Sequence, residues 1–126
     1  MNVLIDSSGW IEYFSNGKNA SRYLVFIEKA SKKNCLTPTI IIYEVYKKIK
    51  KEFGESKANQ VIAQIVDCSQ LVELDERIAL HAAEISLQSG LAMADAIIKA
   101  TADLNGCRLI TGDHHFKGLE NVQVIE

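Results

Sequence analysis

Four carboxylates stand where a negative charge is costly unless something compensates it. Asp6 closes an apolar run in "VLIDSSGWI", so its charge needs a helix N-terminus, a hydroxyl or a cation. Glu44 is the first acid in "TPTIIIYEVYKKIKKEF" and sits among Ile41, Ile42, Tyr43 and Val45, in a stretch apolar enough to be largely buried as a helix. Asp95 lies between alanines in "LAMADAIIKATADLNG". Asp113 follows the apolar run of "RLITGDHHF" and precedes two histidines, His114 and His115.

Each acid alone has an ordinary explanation. Asp6 can cap a helix, with Ser7 and Ser8 sharing the task. Glu44 can pair with Lys47, Lys48 or Lys51 one or two turns along, and those lysines equally offer a basic strip for phosphates. A first-turn position suits Asp95 through the helix dipole, and Asp113 can be part of a polar turn. As a set they offer a different chemistry. Gathered carboxylates raise one another's pKa unless a cation intervenes, and oxygen ligands with open positions suit Mg²⁺ or Mn²⁺, which keep waters and bind phosphate oxygens.

The elements that must position these acids follow from hydrophobic period. Residues 3–5 read as a strand, and "DSSGW" then offers caps for a helix carrying Trp10, Ile11 and Phe14. A second helix starts at Asn19 or Ser21, with Tyr23, Leu24, Ile27 and Ala30 as its stripe. A short strand over 35–37 precedes Pro38, which opens a helix to about Phe53 with Thr37 or Thr39 as cap and Gly54 as stop. Ala58, Val61, Ile62, Ile65 and Val66 keep the helical period, and "QLVEL" is a short strand. Asp75 caps the next helix, whose stripe of Ile78, Ala79, Ala82, Ile85 and Leu87 ends at Gly90. A last helix over 93–105 takes Met93, Ile97, Ala100 and Leu104 as its core stripe and leaves Asp95 on a flank of small residues. "CRLIT" and "VQVI" are the remaining strands.

Strands separated by helices predict an α/β fold, a three-layer α/β/α arrangement with a mainly parallel sheet of roughly five strands. Ligands of such sheets bind outside the carboxyl ends of the strands. Asp6 and Asp113 both fall at strand ends of that kind.

With 126 residues, 48% of them hydrophobic, no internal repeat and no linker-like tract, the expectation is one domain over 1–126. No apolar run approaches the ~18 residues of a membrane span, and "MNVLIDSSG" lacks a basic region before its apolar stretch, so a soluble, cytoplasmic protein with no membrane association is expected. Three cysteines without Cys-x-x-Cys spacing predict reduced core residues rather than disulfides or structural zinc. The formal charge of −2 argues against nucleic acid, since phosphate binding leaves a basic footprint. If a cation offsets the four gathered acids, the rest of the chain counts as +2.

Other site chemistries fit less well. Adjacent side chains in "DHH" should diverge, and His81, mid-helix between Leu80 and Ala82, has no partner in sequence, which disfavours zinc. Exposed turn histidines are the default for His114 and His115, with contact to phosphate or proton transfer to a leaving oxygen as the functional alternative. There is no Gly-x-Gly-x-x-Gly after the first strand and no P-loop. Phosphatases with an aspartyl nucleophile need a second aspartate where this chain has Ser8.

Taken together, "VLIDSSGWI", "TPTIIIYEV", "MADAIIKATADLNGCRLITGD" and a final "F…L…V.V" resemble the PIN-domain nucleases, and the short length brings the chain closest to the VapC-like toxins. The resemblance spans essentially the whole chain. It implies that Asp6, Glu44, Asp95 and Asp113 are catalytic and hold one or two Mg²⁺ or Mn²⁺ ions, with Asp6 and Asp95 the most direct ligands. Ser7, Ser8 and Thr111 match hydroxyl positions that support the ligands or touch substrate, and Lys47 and Lys48 offer a phosphate track. The implied activity is endonucleolytic cleavage of single-stranded RNA by a metal-activated water. A homodimer and a small inhibitory antitoxin protein are the implied partners.

One departure concerns the position two after Asp113, where many relatives carry an acid and this chain has His115. That change leaves the second metal position open, or makes it softer and more tolerant of Mn²⁺ than of Mg²⁺. Trp10, Tyr13 and Phe14 can serve core packing or a dimer or antitoxin groove. Two further readings stay open: a housekeeping RNA-processing PIN nuclease, and a catalytically silent PIN-like module, although a scaffold gains nothing from mutually repelling carboxylates. For the nuclease, Asp6→Asn or Asp95→Asn is expected to abolish cleavage and leave the fold intact or more stable.

Overall fold

Val3, Leu4 and Ile5 combine β-branched stiffness with full apolarity, which suits a strand buried on both faces. In a computed structural model describing residues 2–126 they lie in β1 (Asn2–Ile5), the central strand of a five-stranded sheet. The others are β2 (Cys35–Pro38), β3 (Gln70–Val72), β4 (Cys107–Thr111) and β5 (Val122–Val124), in the order β3-β2-β1-β4-β5. Every pairing is parallel. Leu4, Ile5, Leu109 and Ile110 are completely buried, as central parallel strands covered on both faces must be.

Six helices connect the strands: α1 (Ser7–Phe14), α2 (Ala20–Ile27), α3 (Thr39–Phe53), α4 (Glu55–Cys68), α5 (Glu76–Ser89) and α6 (Met93–Leu104). The chain steps from β1 to β2 to β3 and then returns to β4 on the far side of β1. With right-handed crossovers, the outward steps lay α1 to α4 on one face and the return lays α5 and α6 on the other. The three-layer arrangement follows. The reversal at β1 opens a crevice between the carboxyl ends of β1 and β4.

Local signals act at the helix ends. Asp75 accepts the Ile78 N–H at 2.9 Å and starts α5, and Gly90 ends it at φ +77° in the left-handed region. α3 stops at Gly54, which takes φ +94°. Pro38 completes β2 instead of opening α3, pairing with Val72 of β3. The third strand ends at Val72 rather than Leu74, because Leu74 has left the sheet and is half exposed.

The stripe expected for α6 needs a larger correction. Met93 is 75% exposed, while every residue from Ala96 to Ala102 is buried. Small side chains let this helix press against α5, β4 and α3, so its buried surface is nearly a full cylinder, wider than a stripe. Leu87, expected on the core side of α5, is 81% exposed, and Leu24 of α2 is also on the surface. Trp10 is fully buried, with Tyr13 and Phe14 partly buried against the core.

All three cysteines are free. Burial pushes the Cys35 thiol up to about 12, which makes it an inert core residue. No helix among the described residues is long and apolar enough to cross a membrane.

Candidate functional site

Asp6 stands at the floor of the crevice, 3% exposed. Its backbone is extended (φ −65°, ψ 160°) and its own N–H donates to the Ile110 carbonyl at 2.9 Å, continuing the β1–β4 ladder. Oδ1 accepts the Ser7 N–H at 2.8 Å, so Asp6 does cap α1. Oδ2 accepts two hydroxyls, Thr111 at 2.7 Å and Ser8 at 3.1 Å. Each hydroxyl in turn accepts a backbone N–H from the loop after β4: Ser8 from Gly112 and Thr111 from Asp113, both at 3.0 Å. Capping and site construction are thus the same set of bonds.

The other acids enter from separate elements. Glu44 comes from the second turn of α3 and Asp95 from the first turn of α6. Asp113 caps a short 3₁₀ turn, His114–Phe116, by accepting the His115 N–H at 2.9 Å. Their electrostatics record that they converge. Burial raises the Asp6 carboxyl above its ordinary range, and the Asp113 charge adds to the shift although three hydrogen bonds oppose it. Burial raises Glu44 first, followed by the charges of Asp6, Asp95 and Asp113, with the Ser7 hydroxyl acting in the opposite sense. Asp95 is raised by burial, then by Asp113 and Asp6, and lowered by His115. Glu44 Oε1 is buried with no hydrogen-bond partner among the described residues. An orphaned carboxylate oxygen facing three more acids fits a hard divalent cation.

The histidines separate. His114 turns its Nδ1 towards Glu126, 3.7 Å away, and His81 reaches Asp103 in the last turn of α6 at 3.5 Å. His114 and His115 thus diverge as adjacent side chains should, but His115 converges with Asp113, two positions earlier. The 3₁₀ turn folds its ring back until Nδ1 lies 3.1 Å from Asp113 Oδ1 and 4.0 Å from Asp95 Oδ2. Asp95, Asp113 and His115 each offer a ligand atom, all within 4.8 Å of one another. Lys47 and Lys48 are exposed on α3, where Lys47 sits over the Tyr43 ring and Lys48 pairs with Glu52 at 2.7 Å. Neither pairs with Glu44, which corrects the expected intrahelical ion pair.

Two grooves flank the acids. One of about 350 Å³ runs past Gly90, Leu91, Ala92, Asp95 and His115, and another of about 390 Å³ past Ser8, Glu12, Asn19, Tyr23 and Asp113.

Residues 3–121 match the family model of the PIN domain. The chain belongs to the PIN-domain family. Solved structures agree with this PIN domain over almost their entire lengths. A toxin–antitoxin complex from Klebsiella pneumoniae has a chain 24% identical, with a TM-score of 0.80, covering 98% of this chain and 97% of that one. DNA-bound VapBC from Salmonella typhimurium is 14% identical with a TM-score of 0.75 (99% and 97% covered). VapC20 from Mycobacterium tuberculosis, described as a sarcin–ricin loop cleaving toxin, is 15% identical with a TM-score of 0.74 (96% and 98% covered). At these identities the likeness is one of fold. No protein of curated function matches the sequence.

Sequence reasoning overlooked one buttress of this PIN domain. Tyr23, read only as a stripe residue of α2, is 2% exposed, and burial pushes its phenol up to about 12. It wedges between two glycines: a Cβ on Gly9 would lie 2.7 Å from its ring, and one on Gly112 would lie 2.8 Å from its hydroxyl. The signal available was the glycine directly after each serine or threonine of the site, in "SSGW" and "ITGD".

Proposed function

We propose that this PIN domain is a divalent-metal-dependent endoribonuclease that hydrolyses phosphodiesters of single-stranded RNA, and that it is the toxin of a toxin–antitoxin pair. The observation that carries the reading is the unpartnered buried oxygen of Glu44 among Asp6, Asp95 and Asp113. Those four carboxylates are the residues to hold one or two Mg²⁺ or Mn²⁺ ions. A bound ion would supply a water nucleophile at neutral pH and neutralise charge developing on the phosphate.

The chain's own residues do the positioning. Ser8 and Thr111 fix both the rotamer and the hydrogen-bonding state of Asp6, the kind of support on which ligand geometry depends. Open grooves on both sides of the acids suit an extended single strand better than a compact small molecule. Lys47 and Lys48 lie on the helix that carries Glu44 and supply positive charge for flanking phosphates. The likeness in fold to chains from toxin–antitoxin complexes favours the toxin over a housekeeping enzyme, with a small antitoxin and a second copy of the chain as partners in the cytoplasm.

The test is cleavage of a panel of single-stranded and duplex RNAs by the purified protein with Mg²⁺, with Mn²⁺ and with chelator. Metal-dependent cutting confined to single strands is expected. If neither ion supports cleavage or raises the melting temperature, the nuclease reading is wrong and a silent binding module takes its place. Toxin status has its own readout: induced expression should arrest growth, and co-expression of a neighbouring small reading frame should relieve the arrest.

A further inference from the structure

We infer that His115 is itself a metal ligand, through Nδ1, and that it makes this site select a first-row transition ion, Mn²⁺ before Mg²⁺. This rests on the metal-dependent reading above and adds the donor chemistry. The imidazole nitrogen is 3.1 Å from Asp113 Oδ1 and 4.0 Å from Asp95 Oδ2. Metal–ligand bonds of about 2.1 Å put neighbouring octahedral ligands about 3 Å apart and opposite ones about 4.2 Å apart. The two separations fall close to those values, and all three ligand atoms lie within 4.8 Å of one another, so small side-chain adjustments suffice to share an ion.

The backbone explains why the ring is there. Asp113 holds the His115 N–H at 2.9 Å, and the 3₁₀ turn that follows fixes the direction of both side chains. His114, next in the chain, is turned away towards Glu126. Ligation needs the Nδ1 lone pair, so the neutral ring must carry its proton on Nε2. His115 is exposed, which leaves Nε2 free to bond with water. Two carboxylates and one imidazole leave coordination positions open for water and phosphate oxygens. Mg²⁺ strongly prefers oxygen donors, whereas first-row transition ions accept imidazole readily.

The experiment is pulsed electron paramagnetic resonance of the Mn²⁺-loaded protein, with calorimetric titration of Mn²⁺ and Mg²⁺. Wild type should show ¹⁴N modulation from a directly bound imidazole. His115→Asp should still bind Mn²⁺ but lose that modulation, and its preference for Mn²⁺ over Mg²⁺ should narrow by about tenfold or more. His114→Ala should keep the modulation. Mn²⁺ that binds in an Asp95-dependent way without ¹⁴N modulation, or modulation that survives in His115→Asp, overturns the inference and leaves the metal-dependent nuclease standing. Mg²⁺ binding without Mn²⁺ binding overturns the inference alone, and absence of binding of either ion overturns both.

Discussion

Thr111 and Asp6, 105 residues apart in sequence, share a buried hydrogen bond of 2.7 Å from Thr111 Oγ1 to Asp6 Oδ2. The same Thr111 oxygen accepts the Asp113 N–H at 3.0 Å. One hydroxyl thereby sets the distance between the acid at the end of β1 and the acid in the loop after β4.

Thr111→Val keeps the shape and removes both bonds. It leaves Asp6 Oδ2 with Ser8 alone and strands the Asp113 N–H. A loss of about 1–3 kcal/mol in urea denaturation is expected, together with a fall in cleavage rate of about 10–100-fold. Thr111→Ser should retain most of both. Unchanged cleavage in the valine variant would show that the hydroxyl does not set the geometry.

The raised carboxyls of Asp6, Glu44 and Asp95 make a signed prediction for pH. In the metal-free folded state these groups keep protons that the unfolded chain has released at its ordinary values, 3.8 for Asp and 4.5 for Glu. Their contribution to stability is therefore full below those values and is lost as pH rises towards the raised folded-state values. Asp95→Asn should remove part of that loss, so its gain in melting temperature under chelator should grow as the pH is raised from about 4. With Mn²⁺ the wild type should reverse the trend, because ligands must be deprotonated to bind. A gain in the variant that does not depend on pH would dissociate Asp95 from the acid cluster.

Asp6→Asn and Asp95→Asn, which the sequence alone treats alike, should differ in stability. Both lose cleavage. Among the described residues Asp95 accepts no hydrogen bond that an amide would break, and relief of repulsion should raise its melting temperature under chelator. At Asp6, one of the two carboxylate oxygens becomes an NH₂. Placed at Oδ2 it confronts the hydroxyls of Ser8 and Thr111, and placed at Oδ1 it confronts the Ser7 N–H. Asp6→Asn is expected to gain nothing or to lose about 1–2 kcal/mol. Equal stabilisation of both variants, read by thermal melting, would contradict the bonding pattern at Asp6.

Gly112→Ala tests the Tyr23 buttress. The new Cβ would meet the tyrosine hydroxyl at 2.8 Å, and overpacking of this kind costs about 1–3 kcal/mol. Adding Tyr23→Phe removes the crowding atom. The double variant should recover much of the stability and of the cleavage lost by Gly112→Ala, measured by a double-mutant cycle. Additive losses would place the strain elsewhere.

Most of the element order was legible because turn chemistry and period agreed: Asp75 and Gly90 bracket α5, and Gly54 ends α3. The four acids stood out in the sequence because each lies in or just after an apolar run, and their mutual charge effects place them near one another in the fold. Side-chain direction was not legible. Period alone assigned Met93 and Leu87 to the core, but α6 is buried nearly all round by small residues while Met93 lies on its exposed first turn. The inward turn of His115 depends on a single 3₁₀ turn capped by Asp113, too short to leave any periodic trace. Tyr23 escaped notice because its partners, Gly9 and Gly112, are defined by the room they leave.

The order β3-β2-β1-β4-β5 places β1 at the centre of the sheet, and its pairing with β4 waits for residues 107–111. During synthesis, Asp6 and Ser8 are in place long before Thr111, Gly112 and Asp113 exist to bond with them. A chain stopped short of Thr111 has the first three acids and none of the stitching that orients Asp6. The proposed cleavage therefore depends on residues made well after the first three acids, and a chain truncated before Thr111 should not cleave RNA.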